Sequence, residues 1–319
     1  MNDAVTLLDA VLVGAALLTA IITVSVSARR AAVAGFLTLG VVMTIIWLRL
    51  GVVDVAFAEA ALGTGVLTAL LVWTASSTPR TAPVPHPRRW PRALLGVIAG
   101  MLLAVGIAGL WWRASDALPR WTEAVTEQTP QLGVTHEVTA VLLGFRAYDT
   151  LLETGVLFLA AVAVLALTDA TGPGLLPARP RVPAPVARAA RALAPAVFVL
   201  GAWLLFAGSS SPGGAFQSGA VFTALLVLLH VTGVDLSWLR RALPWALAGG
   251  VLVFSVAALP VFGAGEGWLG WAGPGALVLV LTVEIVLTVG ITAGLFALYL
   301  GLEQSPRTHT APRVSEVAR

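Results

Sequence analysis

Long apolar stretches separated by short polar connections make up most of the chain. A helix that crosses about 30 Å of hydrocarbon needs roughly 20 apolar residues. Nine stretches approach or exceed this length, with approximate bounds of 4–27, 31–50, 53–75, 93–112, 148–168, 193–208, 215–234, 244–262 and 275–301. The pattern therefore predicts an all-α fold, a polytopic membrane helix bundle with about nine transmembrane helices.

The composition agrees with a membrane protein and narrows the chemistry. Hydrophobic residues make up 58% of the chain and charged residues 11%, against roughly a quarter charged in ordinary soluble domains. Cysteine is absent, which excludes disulfides, thiolate zinc sites and cysteine-ligated iron–sulfur clusters. Lysine is absent as well, so no Schiff-base or proton-loading lysine is present. We expect no cofactor and no tightly bound metal ion, and the pattern leaves room for transient Na⁺ binding.

The arginines predict the orientation of the helices. Cytoplasmic connections carry an excess of Arg and Lys. Fifteen arginines fall in alternate connections and in the C-terminal tail, whereas the opposite side has only four, Arg49, Arg113, Arg120 and Arg146. This asymmetry predicts an N-terminus outside and a C-terminus in the cytoplasm. Because the arginines are scattered between apolar runs, they are topology signals and do not indicate a nucleic-acid partner.

Two acidic residues fall within the third apolar stretch, "VVDVAFAEAALGTGVLTALLVW". A charge at bilayer depth is costly, so it usually faces protein or water and often serves transport. Helical spacing turns Asp54 and Glu59 about 140° apart, so they do not share one face. Asp54 is either a helix N-cap or an ion-path residue. Glu59 lies more than a turn deeper and is an ion-path candidate.

The segment "GFRAYDTLLETG" carries three more charges next to an apolar run. Arg146, Asp149 and Glu153 fall at i, i+3 and i+7, so on one helix they lie within about 60° of one another. Such a face must meet protein or water, as an ion path or as a structural Arg–carboxylate pair. A helix beginning at Val138 would place the group near mid-membrane, and one beginning at Tyr148 would place it at the membrane surface.

Two further ionisable residues lie in later apolar stretches. Glu284 has no residue of opposite charge within two turns, so it needs a partner on another helix or a proton in the folded state. His230 lies near the cytoplasmic end of the seventh stretch and is either a proton relay or a structural histidine. Both are candidates for the ion path.

A distinctive connection, "FAGSSSPGGAFQSGAVFTALL", joins the sixth and seventh stretches. Irregular backbone near a membrane is tolerated where protein covers it or where it lines a cavity. The connection is therefore either a tight turn or a site of binding or packing. Its candidate residues are Pro212, Gly213, Gly214, Phe216 and Gln217.

Three segments, in this order, resemble components of one family of membrane complexes. "DVAFAEAALGTGVLTALL" resembles the D-type subunit of membrane-bound hydrogenases, a module that also occurs in the C-terminal region of the A-type subunit of Mrp-type multisubunit sodium/proton antiporters. "VTAVLLGFRAYDTLLETGVL" is similar to the E-type subunit of membrane-bound hydrogenases, with its Arg-x-x-Asp-Thr-x-x-Glu pattern. "SPGGAFQSGAVFTALLVLL" with "VEIVLTVGITAGL" is similar to the B-type subunit of Mrp antiporters.

The resemblance implies a modular organisation and a membrane location. We expect a three-helix D-type module at 1–78, a two-helix E-type module at 79–185, a four-helix B-type module at 186–304 and a cytoplasmic tail at 305–319. The family implies a multi-pass protein of a bacterial or archaeal cell (inner) membrane. Two departures from the family pattern are Val53, where proline is usual, and Ala215, where a third glycine is usual.

The resemblance also implies a role within a complex. The chain would be a non-catalytic subunit of a complex I-related cation/proton antiporter, and the family implicates positions matching Glu59, Glu284 and the Arg146 group in its ion path. Its partners would be large antiporter-like subunits with a lysine proton channel, small Mrp subunits and the lipid bilayer. The alternatives are a proton-translocating or scaffolding subunit of a hydrogenase-like or inorganic-carbon-uptake complex, or a spacer whose charges only pair between helices.

Overall fold

The computed structural model describes residues 6–77, 90–114, 122–167, 182–257, 259, 271 and 273–304. The expected tail at 305–319 lies outside the described residues. So do the two arginine-rich connections around residues 80–89 and 168–181, which carry many of the topology signals.

Helices account for all the regular structure that the described residues contain. The α-helices are α1 (Leu7–Ser25), α2 (Arg29–Arg49), α3 (Val53–Ala58), α4 (Thr68–Ser77), α5 (Trp90–Ala114), α6 (Thr122–Gln128), α7 (Glu137–Thr139), α8 (Ala147–Leu167), α9 (Ala184–Ala207), α10 (Ala215–Val231), α11 (Ser237–Ala257) and α12 (Ala276–Gln304). A π-helix at Glu59–Leu67 joins α3 to α4, and a second at Ala140–Phe145 follows α7. A 3₁₀-helix spans Thr129–Leu132. The all-α fold is confirmed.

Every predicted apolar stretch contains a helix. Within the described residues, seven helices are long and apolar enough to cross a membrane. The other two predicted stretches hold shorter apolar helices, Ala215–Val231 and Arg241–Ala257. The chain is thus a polytopic membrane helix bundle, while the count of nine crossings and the orientation of the termini stay predictions.

Local signals in the sequence explain where several helices begin. At the start of α1, Thr6 and Asp9 form a capping box: the Asp9 N–H donates to Thr6 Oγ1 at 3.3 Å and the Thr6 N–H donates to Asp9 Oδ2 at 2.8 Å. These bonds satisfy backbone N–H groups that have no partner inside the helix. A proline in the first turn of α9 is compatible with helix because an N–H there has no intrahelical acceptor.

The third predicted stretch is not one uniform α-helix. It begins as α3 at Val53, changes to π-helix over Glu59–Leu67 and returns to α-helix at Thr68. A π-helix bonds each N–H to the carbonyl five residues earlier and is often found at functional sites. The apolar pattern gave no indication of this change.

Contacts divide the chain into two compact units. One contains residues 1–78 and 128–319, and the other contains residues 79–127. The larger unit holds every candidate site residue. The smaller unit holds α5, whose side chains from 94 to 113 are exposed. The expected module boundaries at residues 78 and 185 stay a prediction.

Helix α12 forms the centre of the larger unit. It contacts α8, α10 and α11, and half of its membrane-length window is buried, 50%, against 22% or less in the other long apolar helices. Its residues Val283, Leu287 and Ile291 are almost fully buried, as are Phe254 of α11 and Trp271. A polar side chain on the buried face of α12 therefore lies inside protein and not in lipid.

Candidate functional site

A cavity of about 360 Å³ brings together three of the predicted carboxylates. Asp54 comes from α3, Glu153 from α8 and Glu284 from α12, and Gln217 of α10 lies on the same wall. The remaining lining is mostly apolar and includes Thr139 and Thr150. Residues from all three expected modules therefore face one space.

Asp54 is the point at which three parts of the chain meet. Its Oδ2 lies 3.0 Å from Nε2 of His136, and its Oδ1 accepts a hydrogen bond from the Gly213 N–H at 3.2 Å. Its backbone carbonyl accepts a hydrogen bond from Gln217 Nε2 at 3.3 Å. The N-cap of α3 is Val52, and Asp54 is the second residue of the helix. Asp54 is therefore not the N-cap of α3, and the helix-cap interpretation is wrong.

The turn between α9 and α10 is bonded to the segment that precedes α7. The N–H groups of Thr135 and His136 both donate to the Ser209 carbonyl, at 3.0 and 3.3 Å. The Thr139 hydroxyl donates to the Gly208 carbonyl. Within the turn, Gly214 has φ +108°, a conformation that L side chains rarely adopt. Gly213 and Gly214 of the turn thus form part of the cavity wall.

Phe216 and Ala215 continue from the turn into α10. Phe216 lines the cavity and packs against the main core. Ala215 is the first residue of α10 and has helical backbone, so the third glycine usual in the family is not needed at this position. Gln217 is 8% exposed, and its amide reaches back to Asp54. The start of α10 is thereby fixed against α3.

Glu284 is the most enclosed of the carboxylates. Its side chain is 2% exposed, and its Oε2 has no hydrogen-bond partner in the part of the chain that the structure describes. Its Oε1 lies against the turn: a Cβ added to Gly208 would be 2.9 Å away, and one added to Gly214 would be 3.4 Å away. Among the described residues no basic side chain forms an ion pair with Glu284, and its carboxylate faces the turn and the cavity.

The single-helix arrangement expected for Arg146, Asp149 and Glu153 is not found. The second π-helix ends at Phe145, Arg146 has non-helical angles of φ −129° and ψ 34°, and α8 begins at Ala147. Arg146 pairs with Asp149, and Thr150 Oγ1 donates to the Leu142 carbonyl at 2.6 Å, which joins the two sides of the break. Arg146 therefore lies between two helical segments and not on the helix that carries Asp149 and Glu153.

The charges at this break differ in what they face. The Arg146 and Asp149 side chains are 69% and 51% exposed. Glu153 is exposed too, yet it also lines the cavity. The cavity therefore opens to the surface of the chain at Glu153, while the Arg146–Asp149 pair lies outside it.

Glu59 lies away from this cavity, at the first residue of the π-helix. Its carboxylate covers Gly63 and faces α2: a Cβ on Gly40 would lie 3.2 Å from Glu59 Oε1 and 2.5 Å from Thr64 Oγ1. The Thr64 hydroxyl is buried and has no hydrogen-bond partner among the described residues. Glu59 and Thr64 thus form a small polar spot between α2 and the π-helix.

His230 is also outside the cavity. It is 3% exposed, and its ring packs edge-on against Phe296 and Tyr299 of α12, with ring centroids 6.3 and 5.8 Å apart. This packing favours the structural interpretation of the histidine. Its role in proton relay stays a prediction.

Sequence reasoning missed His136, the residue paired with Asp54. It lies in the polar connection before α7, where nothing in the local pattern marks it. The available signal was an imidazole a few residues before an apolar run that also contains charged residues, and this signal is weak.

Among the described residues no group of three or more His, Asp or Glu side chains is close enough to hold a metal ion.

Comparisons with known proteins identify the two ends of the chain. Residues 14–80 match the MbhD family model, which describes the D-type subunit of MBH, and residues 185–302 match the model described as "Domain related to MnhB subunit of Na+/H+ antiporter". No curated protein matches the chain. The resemblance of the middle segment to the E-type subunit of hydrogenases stays a prediction.

A solved structure, "Structure of Mrp complex from Dietzia sp. DQ12-45-1b", contains a chain of similar fold. The TM-score is 0.74 and the identity 22%, over 93% of this chain and 35% of that one. This chain thus spans about a third of the length of its structural relative, and at this identity the likeness shows the fold. The two family matches, over residues 14–80 and 185–302, show that the chain joins an MbhD segment of the MBH type with an MnhB-related domain of the Mrp type in one polypeptide.

Proposed function

We propose that the chain is a membrane subunit of a complex I-related multisubunit Na⁺/H⁺ antiporter and that its cavity carboxylates form part of the ion path. The observation that carries the proposal is Glu284. It is 2% exposed, one of its oxygens has no hydrogen-bond partner among the described residues, and it shares a cavity with Asp54 and Glu153.

The chemistry of a buried, unpaired carboxylate supports this role. Burying a charged carboxylate without a partner is costly, so such a group stays neutral or binds a cation. Carboxylate oxygens are also suitable ligands for a hard cation such as Na⁺. Glu284 can therefore alternate between holding a proton and facing a cation, which is what exchange of the two ions needs. Because the cavity opens at the exposed Glu153, ions have a route to Glu284.

The composition supports a role within a complex and not a complete transporter. The chain has no lysine, so it does not supply the lysine proton channel of the large antiporter-like subunits. We infer that those large subunits, together with small Mrp subunits, are its partners in a bacterial or archaeal cell membrane, and that it is non-catalytic. Exposed charges at Arg146, Asp149 and Glu153 support contact with a partner or with water, since charges at bilayer depth rarely face lipid.

The test is ion transport by the reconstituted complex with Glu284→Gln or Glu153→Gln. Glutamine keeps the shape of the side chain but neither ionises nor carries a proton. We expect Glu284→Gln to reduce coupled sodium and proton flux strongly and Glu153→Gln to reduce it less, because Glu153 is exposed. Glu123→Gln on α6 is the matched control, since Glu123 is exposed and does not line the cavity. Unchanged coupled flux in both cavity variants would reject the proposed function.

A redox-linked membrane arm is the second candidate, and the match of residues 14–80 to the MbhD family model favours it. Proteins that co-purify with the chain in mild detergent separate the two candidates. Small antiporter subunits would support the antiporter, and hydrogenase-type subunits would support the redox complex. In a purely structural spacer, joint replacement of Arg146 and Asp149 would disrupt assembly on native gels while Glu284→Gln left transport intact.

A further inference from the structure

His136 and Asp54 form a pair at the edge of the cavity, near the start of α3. Nε2 of His136 is 3.0 Å from Oδ2 of Asp54, and the two side chains are 16% and 13% exposed. Asp54 lines the cavity, whereas His136 is not among its lining residues. The carboxylate thus has the cavity on one side and the partly exposed imidazole on the other.

The imidazole is not needed to hold Asp54 in place. The other carboxylate oxygen already accepts the Gly213 N–H at 3.2 Å, and the Asp54 carbonyl accepts the Gln217 amide at 3.3 Å. His136 is itself held by its backbone, which donates to the Ser209 carbonyl. With both residues positioned independently, the side-chain contact brings a proton-carrying group within hydrogen-bonding distance of a cavity carboxylate.

Asp54 and Glu284 lie against neighbouring residues of the turn. Asp54 Oδ1 is bonded to the Gly213 N–H, and Glu284 Oε1 lies 3.4 Å from the position of a Cβ on Gly214. Both carboxylates line the one cavity. The two carboxylates thus share a cavity of about 360 Å³, which is large enough to hold water.

We propose that His136 and Asp54 form the port through which protons pass between solvent and the carboxylates of the cavity. This inference rests on the proposed function. In the inward direction the proton on Nε2 moves to Oδ2, which leaves a neutral imidazole and a neutral carboxyl group. Asp54 then releases the proton to the cavity, and His136 takes a new proton from solvent. The outward direction reverses these steps.

The surroundings of His136 suit this exchange. Imidazole is a common proton shuttle in proteins. The acidic groups beside it are Asp54, whose Oδ2 is 3.0 Å away, and Glu137, which follows it in the chain, while Glu153 and Glu284 line the cavity together with Asp54. Residues 208–214 of the turn carry no ionisable side chain. Among the described residues, His136 is thus a basic group within ion-pairing distance of a carboxylate that lines the cavity.

His136→Gln in the full reconstituted complex tests the port. Glutamine still donates a hydrogen bond to Asp54 but carries no proton between solvent and carboxylate. General acid–base groups contribute about 10²–10⁴-fold to proton transfer, so we expect at least a tenfold loss of proton-coupled flux. Imidazole added to the buffer should restore flux, because it replaces the missing proton carrier.

Two further variants separate a transfer role from a structural one. Asp54→Asn keeps an acceptor for the Gly213 N–H but does not carry a proton, so it should lose flux as His136→Gln does. Ser209→Ala is the control: its hydroxyl bonds only to the Phe206 carbonyl in its own turn, at 3.1 Å, and its backbone carbonyl, which holds His136, is retained. Native gels verify assembly of each variant.

The outcomes distinguish the port from the function on which it rests. Loss of flux in His136→Gln with recovery in imidazole, and no such recovery in Glu284→Gln, supports the port. Normal flux in His136→Gln or Asp54→Asn, while Glu284→Gln is inactive, overturns the port and leaves the proposed function intact. An assembled His136→Gln complex that imidazole does not restore has lost a structural contact, which also overturns the port. Normal flux in all three variants rejects both.

Discussion

Replacing Gly208 by alanine tests how closely the turn packs against Glu284. Gly208 has φ −51° and ψ −30°, angles that any residue adopts, so alanine introduces no backbone strain. Its Cβ, however, would lie 2.6 Å from Gly214 Cα and 2.9 Å from both Gly214 N and Glu284 Oε1. Two of these three atoms belong to backbone, which cannot rotate away as a side chain does. The turn must therefore shift to admit one methyl group.

The expected cost follows from two opposing effects. Forcing extra atoms into a well-packed region costs about 1–3 kcal/mol. Replacing glycine by alanine restricts the unfolded chain and returns about 0.4–1 kcal/mol. We therefore expect Gly208→Ala to lower the free energy of unfolding by about 1–2 kcal/mol. Transfer of the methyl group itself contributes little, because the lipid that surrounds the unpacked helices is also apolar.

The measurement is thermal unfolding of the purified chain in one detergent, followed by tryptophan fluorescence. Gly249→Ala is the matched control, since Gly249 lies inside α11 with no atom within 4 Å of its added Cβ. Alanine is favoured over glycine inside a helix by about 0.5–1 kcal/mol, so the control should unfold at a slightly higher temperature and Gly208→Ala several degrees lower. If Gly208→Ala unfolds at or above the temperature of the unmodified chain, the close packing of the turn on Glu284 is refuted.

Two smaller effects follow from polar contacts elsewhere. Ser218→Ala removes a buried 2.8 Å hydrogen bond from α10 to the Gly201 carbonyl of α9 and should lower the free energy of unfolding by about 1 kcal/mol. The control is Ser255→Ala, which should change it much less because the Ser255 hydroxyl bonds within its own helix. Equal shifts of the two unfolding temperatures would contradict this prediction. Arg49→Gln removes a 3.0 Å ion pair with Asp9 in which the side chains are 41% and 28% exposed. It should lower stability only slightly, because exposed ion pairs contribute little, and the effect should shrink further in high salt. A large, salt-independent shift of the unfolding temperature would show that the pair is shielded from solvent.

Helix positions in this chain were predictable because lipid imposes a length and an apolar composition on each span. The stretch predicted at 275–301 is α12, Ala276–Gln304, and the stretch predicted at 148–168 is α8, Ala147–Leu167. These bounds come from run length alone, with no need to know which helix packs against which. The same reasoning predicted that Glu284 needs an environment other than lipid, and α12 is indeed the helix with the most buried window.

Changes in helix type were not predictable from the same pattern. The π-helix at Glu59–Leu67 and the break at Arg146 have no visible counterpart in the order of apolar and polar residues. A periodicity argument that assumes 3.6 residues per turn therefore does not detect them. That assumption placed Arg146, Asp149 and Glu153 on one face. In the structure, tertiary hydrogen bonds such as the one from Thr150 to Leu142 accommodate a different geometry.

His136 shows why the site as a whole was harder to predict than its members. Asp54, Glu153 and Glu284 were each conspicuous as charges in apolar sequence. His136 lies in a polar connection where a histidine is unremarkable, and its importance arises from a partner 82 residues away in sequence. A single sequence carries no information on which connection folds back onto which helix end, so the pair became visible only with the fold.

The contact between Asp54 and the turn also depends on backbone groups of the turn more than on its side chains. Asp54 accepts the main-chain N–H of Gly213, 159 residues away, and the segment before α7 is bound through the main-chain carbonyl of Ser209. The serines of the turn are thus replaceable without losing these bonds, whereas Gly208 is fixed by space and Gly214 by its φ of +108°. The glycines in "AGSSSPGGAF" therefore specify the cavity wall by keeping the backbone close to two carboxylates. We expect the fold and the site to respond to changes at these glycines together, because the same close approach that packs the turn also brings its backbone against Asp54 and Glu284.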